Sequence, residues 1–183
     1  TDCLEFDLVI EKNNFFVYHP PKKNINFTLN EFMDNLNQVK SLWIDAKNLN
    51  ETNCNIFSSK IISIKKDLKI FVEFPSDTNL NNINIIACMK ELRKNNIDVS
   101  YYLSNNLIER CLKNLKKVNN NCQQILEKIK IIDKSTVINN VSFDYKFAKI
   151  LEFFDYKPIN VKLNTWHISY EEVKKLDMKL YNL

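Results

Sequence analysis

The sequence contains no glycine among its 183 residues. This absence excludes glycine-rich phosphate loops of the Walker or Rossmann type from the chain. Asparagine is abundant instead, and it is the ordinary residue that best tolerates the left-handed backbone conformation. We therefore expect asparagine at the turns and helix ends where glycine commonly lies.

Long apolar runs and dense basic patches are also missing. No run approaches the roughly 18 apolar residues of a membrane span, and the first residues lack the pattern of a signal peptide. Because the chain opens on Thr1 and enters an apolar stretch at once, we expect the natural sequence to continue upstream. The net charge of +4 is mild, and the lysine-rich stretches follow amphipathic helical patterns, so nucleic acid is not an expected partner.

The cysteine pattern gives no sign of a metal or disulfide framework. There are five cysteines, an odd number, and none forms a C-x-x-C pair. That spacing argues against a zinc site or a set of disulfides. It predicts buried free thiols in a reducing compartment and so favours the cytoplasm.

Short runs with strand periodicity alternate with longer amphipathic helical runs. Strand followed by helix, repeated, is typical of a parallel sheet with helical crossovers. We predict strands at residues 3–10, 15–18, 41–46, 69–74, 98–103, 137–143 and 159–168. Helices are predicted at about 29–39, 55–66, 80–94, 105–117, 122–132, 145–154 and 170–180, with capping boxes at Thr28/Glu31 and Ser169/Glu172.

About six strand–helix units favour a TIM-type (β/α) barrel over an open doubly wound sheet. A full barrel needs about 250 residues, so the barrel would be incomplete at both ends. It would form a single domain over residues 1–183.

Charged side chains mark two of the predicted strands. Alternation places Glu5 and Asp7 on one face of the first strand, and Asp45 and Lys47 on one face of another. Neighbouring carboxylates removed from water need a compensating positive charge, and hard divalent cations prefer carboxylate oxygens. The alternatives are a solvated edge strand for the first pair and a simple salt bridge for the second.

His19 ends an apolar strand immediately before Pro20 and Pro21. A histidine at a strand end is often structural or exposed, but this one follows the acidic pair closely in sequence. It is therefore a candidate for proton transfer.

The segment from Leu4 to His19 resembles the E-x-D…V-x-x-H segment of the glycerophosphodiester phosphodiesterases, with Thr28 and Leu29 in the place of the family's T-L motif. The sequence Asp45-Ala46-Lys47 is similar to the D-x-K motif of the related sphingomyelinase-type phospholipases D. The segment 164–168 is similar to the late-strand tryptophan motif of both groups.

The resemblance implies metal-dependent hydrolysis of glycerophosphodiesters or related lipid-derived phosphodiesters, with Mg²⁺ or Ca²⁺ as cofactor. It implies Glu5, Asp7 and Asp45 as metal ligands, His19 and Lys47 as catalytic residues, and Lys47 with Trp166 as substrate-binding residues. Trp166 is equally well explained as a core or rim aromatic.

Two departures keep other functions open. Pro20 stands where the family has aspartate, and the family's first catalytic histidine is not in the chain. One alternative is an inactive barrel used for ligand binding or structure. The other is an open α/β module that binds a sugar nucleotide, which we expect to hold Glu5, Asp7 and Asp45 too far apart to share an ion.

Overall fold

A computed structural model describes residues 2–22, 26–36, 38–65, 67–113 and 120–166. The strands are Cys3–Glu11 (β1), Asn14–Val17 (β2), Ser41–Ala46 (β3), Lys69–Phe74 (β4), Asp98–Tyr102 (β5), Asn140–Asp144 (β6) and Lys162–Trp166 (β7). The helices are Leu29–Asp34 (α1), Cys54–Ile64 (α2), Ile83–Lys94 (α3), Asn105–Leu112 (α4), Asn120–Asp133 (α5) and Ala148–Phe153 (α6), with a 3₁₀ turn at Tyr145–Phe147. None of the helices in these ranges is long and apolar enough to span a membrane.

The predicted barrel is wrong. The seven strands form one open sheet in the order β2-β1-β3-β4-β5-β6-β7, so β2 and β7 are its edges. β2 returns antiparallel to β1 through a hairpin, whereas β3 lies parallel to β1 on the other side. A (β/α) barrel closes with parallel neighbours only, and here the antiparallel hairpin lies on the edge of β1 that closure would need.

Turns without glycine use the left-handed conformation, and asparagine holds two of the five such positions among the described residues. Lys12 and Asn13, in the β1–β2 hairpin, have φ values of 48° and 68°. Asn96, with φ 55°, follows the end of α3, where the Ile97 N–H donates to the Leu92 carbonyl oxygen at 3.0 Å. That bond closes the end of the helix in the manner usually made with glycine.

The chain divides into two compact units, residues 1–100 and 101–183. In the first unit, side chains on one face of β3 and β4 are fully buried, together with apolar residues of α2 and α3: Leu42, Ile44, Ile70, Val72, Phe57, Ile61, Ile85 and Leu92. Burying one such side chain contributes about 1.5–3 kcal/mol.

The capping box of Thr28 and Glu31 opens α1, as predicted; the one predicted at Ser169 lies outside the described residues.

In the second unit, the apolar residues Ile125, Ile129 and Ile132 of α5 are fully buried, as are Val141 and Phe143 of β6. β7 lies parallel to β6. The helix predicted at 170–180 lies outside the described residues. The helix predicted at 145–154 is divided into the 3₁₀ turn and α6, because the Asp144 side chain accepts from the Lys146 N–H and tightens the first turn.

The prediction of free thiols is wrong for four of the five cysteines. Cys54 and Cys88 form a disulfide that joins α2 to α3, and Cys111 and Cys122 form one that joins α4 to α5. Cys3 is free and exposed. Partners 34 and 11 residues apart meet because consecutive helices pack side by side, which a search for closely spaced cysteines does not reveal. The preference for a reducing compartment loses its basis.

Candidate metal centre

The acidic residues are brought together by the pairing of β1 with β3. Asp7 lies directly opposite Asp45 in this parallel pair, and Glu5 precedes Asp7 by two residues on the same face. Each of the three residues offers one carboxylate oxygen, and these oxygens all lie within 4.8 Å of one another. The pairing of neighbouring strands is sufficient for this convergence. Our expectation that an open sheet would separate the three side chains is therefore wrong.

Lys47 joins the two strands through its side chain. Its backbone N–H donates to the Leu8 carbonyl oxygen at 3.0 Å, which extends the pairing of β1 with β3 by one residue. Its ammonium Nζ lies 2.9 Å from Asp7 Oδ1 and also donates to Asp45 Oδ2. The salt bridge considered for Asp45 and Lys47 is present, and its extension to Asp7 makes it part of the acidic cluster.

Burial and like charges raise the pKa of two of the carboxylates. Burial raises the pKa of Asp45 above its usual value, although the hydrogen bond and charge of Lys47 oppose the shift. Burial, followed by the charges of Asp7 and Asp45, raises the pKa of Glu5. Burial alone would lower the pKa of Lys47, but its bonds to Asp45 and Asp7 outweigh burial and raise it. Deprotonating these two carboxyl groups therefore costs more in the cluster than in water.

The cluster lies on the less buried face of the sheet. Leu42, Ile44 and Ala46 on the opposite face of β3 are at most 1% exposed, whereas the side chains of Asp45 and Lys47 are 21% and 27% exposed. An ion can therefore reach these oxygens from solvent.

The donor set suits a hard divalent cation. Three carboxylates and one ammonium leave two uncompensated negative charges, which one divalent cation would balance. Lys47 contacts one oxygen of Asp7 and one of Asp45, so each of these carboxylates retains a second oxygen for an ion. Carboxylate oxygens are the ligands that Mg²⁺ and Ca²⁺ prefer.

His19 lies near the cluster without belonging to the set of possible ligands. Its side chain is exposed, and its Nδ1 lies 2.6 Å from the Pro20 carbonyl oxygen. The charge of His19 lowers the pKa values of Asp45 and Glu5, against the effect of burial. It is the smallest of the contributions to each pKa. Among the described residues, the carboxylates alone provide the three clustered ligand atoms.

The second predicted substrate-binding residue, Trp166, is not brought to this cluster by any described contact. Its backbone lies in β7 opposite Asp144, and its side chain lies outside the described part of the chain. Its predicted role stays a prediction.

The sequence pattern did not single out Glu73. This residue of β4 lies directly opposite Asp45 and is only 5% exposed. The parallel register places both side chains on one face of the sheet. The one acidic residue of the strand Lys69–Phe74, on the same face as Phe71, is the signal that could have identified it.

Comparison of the chain with protein-family models, with curated proteins and with solved structures finds no match in any of the three. The resemblance to phosphodiesterases therefore depends on the residues quoted for it and on no wider similarity.

Proposed function

We propose that Glu5, Asp7 and Asp45 bind a divalent cation and that this site serves the hydrolysis of small or lipid-derived phosphodiesters. The observation that carries the proposal is the convergence of three carboxylate oxygens within 4.8 Å beside a lysine that contacts two of the carboxylates. Burial raises the pKa of Asp45, and burial together with the charges of Asp7 and Asp45 raises the pKa of Glu5. Keeping both carboxylates charged in the cluster therefore costs free energy. A bound cation would offset this cost.

Each side chain has a distinct task in this proposal. The carboxylates hold the cation, and the cation supplies charge neutralisation on the phosphoryl oxygens. Lys47, whose ammonium stays protonated between Asp7 and Asp45, binds a non-bridging phosphate oxygen. His19 gives or takes a proton at its ring nitrogen, since its exposed side chain is free to approach a diester that is held beside the cluster.

One observation favours a second candidate, a ligand-binding protein without catalysis. The family's first catalytic histidine is not in the chain and Pro20 stands where the family has aspartate, whereas the expected mechanism uses two histidines. The sugar-nucleotide alternative agrees with the open sheet, but the acidic cluster would repel the phosphates of such a ligand unless a cation is bound.

The first experiment measures binding of Mg²⁺ and Ca²⁺ by calorimetry and by the shift in melting temperature. A ligand that binds only the native state raises the melting temperature, and Asp7→Asn should abolish the rise. The matched control is Asp2→Asn, which changes an exposed carboxylate immediately before β1 and should keep the rise. A metal-dependent rise that persists in Asp7→Asn would place the ion elsewhere.

The second experiment measures release of product from glycerophosphocholine and from a lysophospholipid, with and without chelator. It uses the chain together with any sequence that precedes it in the natural protein. His19→Ala should lower the rate by about 10²–10⁴ while the metal-dependent rise in melting temperature stays intact. A parent protein that binds metal but is inert on both substrates would favour the ligand-binding alternative.

A further inference from the structure

An aromatic pair lies on the same face of the sheet as the acidic cluster. Trp43 lies opposite Glu5 on β1 and opposite Phe71 on β4. Asp7, Asp45 and Glu73 form the next row on this face, two residues further along each strand. Two residues of a strand span about 6.6 Å, so the aromatic pair is immediately adjacent to the possible metal ligands.

The two rings stack on each other and remain half-buried. Their centroids are 5.4 Å apart and their planes differ by 15°. The flanking residues of the same strands, such as Ile44 and Val72, point to the other face and are 0% exposed. The hydrophobic core therefore does not account for the position of the aromatic pair, although cross-strand stacking by itself stabilises the sheet.

The charges around the rings select among possible ligand groups. The Lys69 ammonium lies 4.8 Å from the centroid of the Phe71 ring, and it would repel a cationic head group such as choline. An acyl chain would gain little from two rings flanked by Lys69 and Glu5, which are both exposed. Because Lys69 lies over the Phe71 ring and Trp43 stacks on that ring, a planar ring can extend the stack from the Trp43 side.

We propose that Trp43 and Phe71 form a stacking subsite for a planar ring, aryl or nucleobase, carried on the alcohol of the phosphodiester. The inference rests on the proposed function, because it needs the phosphate to be held at the acidic row by the cation and Lys47. The spacing between the two rows suits an ester in which the ring lies a few bonds from the phosphorus. Trp43 and Phe71 would then determine specificity without taking part in the chemistry.

The test compares phosphates with and without a ring by calorimetry at saturating Ca²⁺. The probes are phenyl phosphate against methyl phosphate, and adenosine 5′-monophosphate against ribose 5-phosphate. We expect the ring to tighten binding about three- to tenfold, the range that aromatic pairing supports. If only phenyl phosphate binds more tightly than its ring-free partner, the subsite takes a small aryl group. If only adenosine 5′-monophosphate binds more tightly than its ring-free partner, the subsite takes a nucleobase.

Substitutions connect the preference to the rings. Trp43→Leu and Phe71→Leu should each bring the ratio of the two affinities, for the phosphate with the ring and the phosphate without it, close to one. Trp43→Phe should keep most of the preference for the ring. In all three variants, the Ca²⁺-dependent rise in melting temperature should persist, which shows that the site is folded. If Trp43→Leu does not fold, Phe71→Leu carries the same test.

Three results would overturn the inference, and they differ in whether the proposed function fails as well. If both members of each pair bind equally, or if the preference survives in the leucine variants, the stacking subsite is wrong and the phosphate site stands. If none of the four phosphates binds in the presence of Ca²⁺, the proposed function fails, and the subsite fails with it.

Discussion

Asp45 and Asp133 are two largely buried aspartates in opposite chemical settings. Asp133, 6% exposed at the end of α5, accepts hydrogen bonds from the N–H groups of Ile159 and Asn160 at 2.9 and 2.7 Å and from the Tyr156 hydroxyl at 3.1 Å. These donors are all neutral. Asp45 instead lies beside one ammonium and the carboxylates of Asp7 and Glu5, with Glu73 of β4 directly opposite it.

The difference separates a structural carboxylate from a candidate functional one. A negative charge at a helix C-terminus is unfavourable, and at Asp133 three well-placed donors offset that cost. At Asp45 the neighbouring carboxylates add to the cost of burial, so the arrangement is poor for stability and suitable for binding a cation. Substitutions at Asp133, Lys47, Tyr156 and Glu5 test this contrast, and we expect their effects on stability to decrease in that order.

Asp133→Ala should lower the free energy of unfolding by about 2–4 kcal/mol, because two backbone N–H groups and the Tyr156 hydroxyl lose their acceptor. Urea unfolding measures the loss. Asp133→Asn keeps one acceptor oxygen and should cost roughly half as much. A loss below about 0.5 kcal/mol for the alanine variant would show that Asp133 does not organise the segment leading to β7.

Lys47→Met should cost about 1–3 kcal/mol at neutral pH, because it leaves partly buried carboxylates without their cation. Saturating Ca²⁺ should restore most of the loss, since a divalent ion replaces the missing charge. The control is Lys40→Met, which breaks the exposed pair with Asp2 and should cost close to nothing. Equal losses in the two variants would mean that the cluster imposes no special electrostatic cost.

Tyr156→Phe should cost about 0.5–1.5 kcal/mol, the usual contribution of one hydrogen bond. Burial, together with the bond to Asp133, raises the pKa of Tyr156 from 10.0 to about 12. A raised pKa means that the native state holds this proton more tightly. The stabilisation is therefore complete below pH 10 and is lost as the pH rises through about 12. If the difference in the free energy of unfolding between parent and variant stayed constant between pH 10 and about 12, the Tyr156 hydroxyl would not be the group that stabilises the fold through Asp133.

Side-chain alternation was sufficient to predict the local features of this molecule. The bounds of β3 and β4 agree with the prediction at both ends, because alternation with a period of two, together with aromatic and β-branched residues, indicates a strand. The same alternation placed Glu5 with Asp7, and Asp45 with Lys47, each pair on one face. Glu73 was overlooked because its strand carries a single acidic residue and no pair.

Features that depend on pairing across the chain were not predictable in this way. Closure of the sheet depends on which strand occupies the free edge of β1, and the strand predicted at 15–18 does not by itself reveal which strand it pairs with. The pairing of Cys54 with Cys88 depends on the contact of α2 with α3. The convergence of the acids was expected from two strands that carry charged pairs at the same end, although neither strand encodes the register of β1 against β3 that achieves it.

Glu5→Gln should have the smallest effect and the opposite sign, a slight rise in the melting temperature of the metal-free protein at neutral pH. Burial, then the charges of Asp7 and Asp45, raises the pKa of Glu5 above 4.5. The native state therefore binds this proton more tightly than the unfolded chain does. That contribution to stability is present below pH 4.5 and is lost as the pH rises through the raised pKa. At neutral pH the charge on Glu5 thus opposes folding, and glutamine removes it.

The gain in Glu5→Gln should vanish below pH 4.5, where the parent carboxyl is already neutral. It should reverse at saturating Ca²⁺, because the parent then gains a ligand that the variant lacks. Glu51→Gln, at an exposed turn position, should change the melting temperature little under any of these conditions. A Glu5→Gln variant that is less stable than the parent without metal would mean that Glu5 resembles Asp133, and the contrast between the two carboxylate settings would fail.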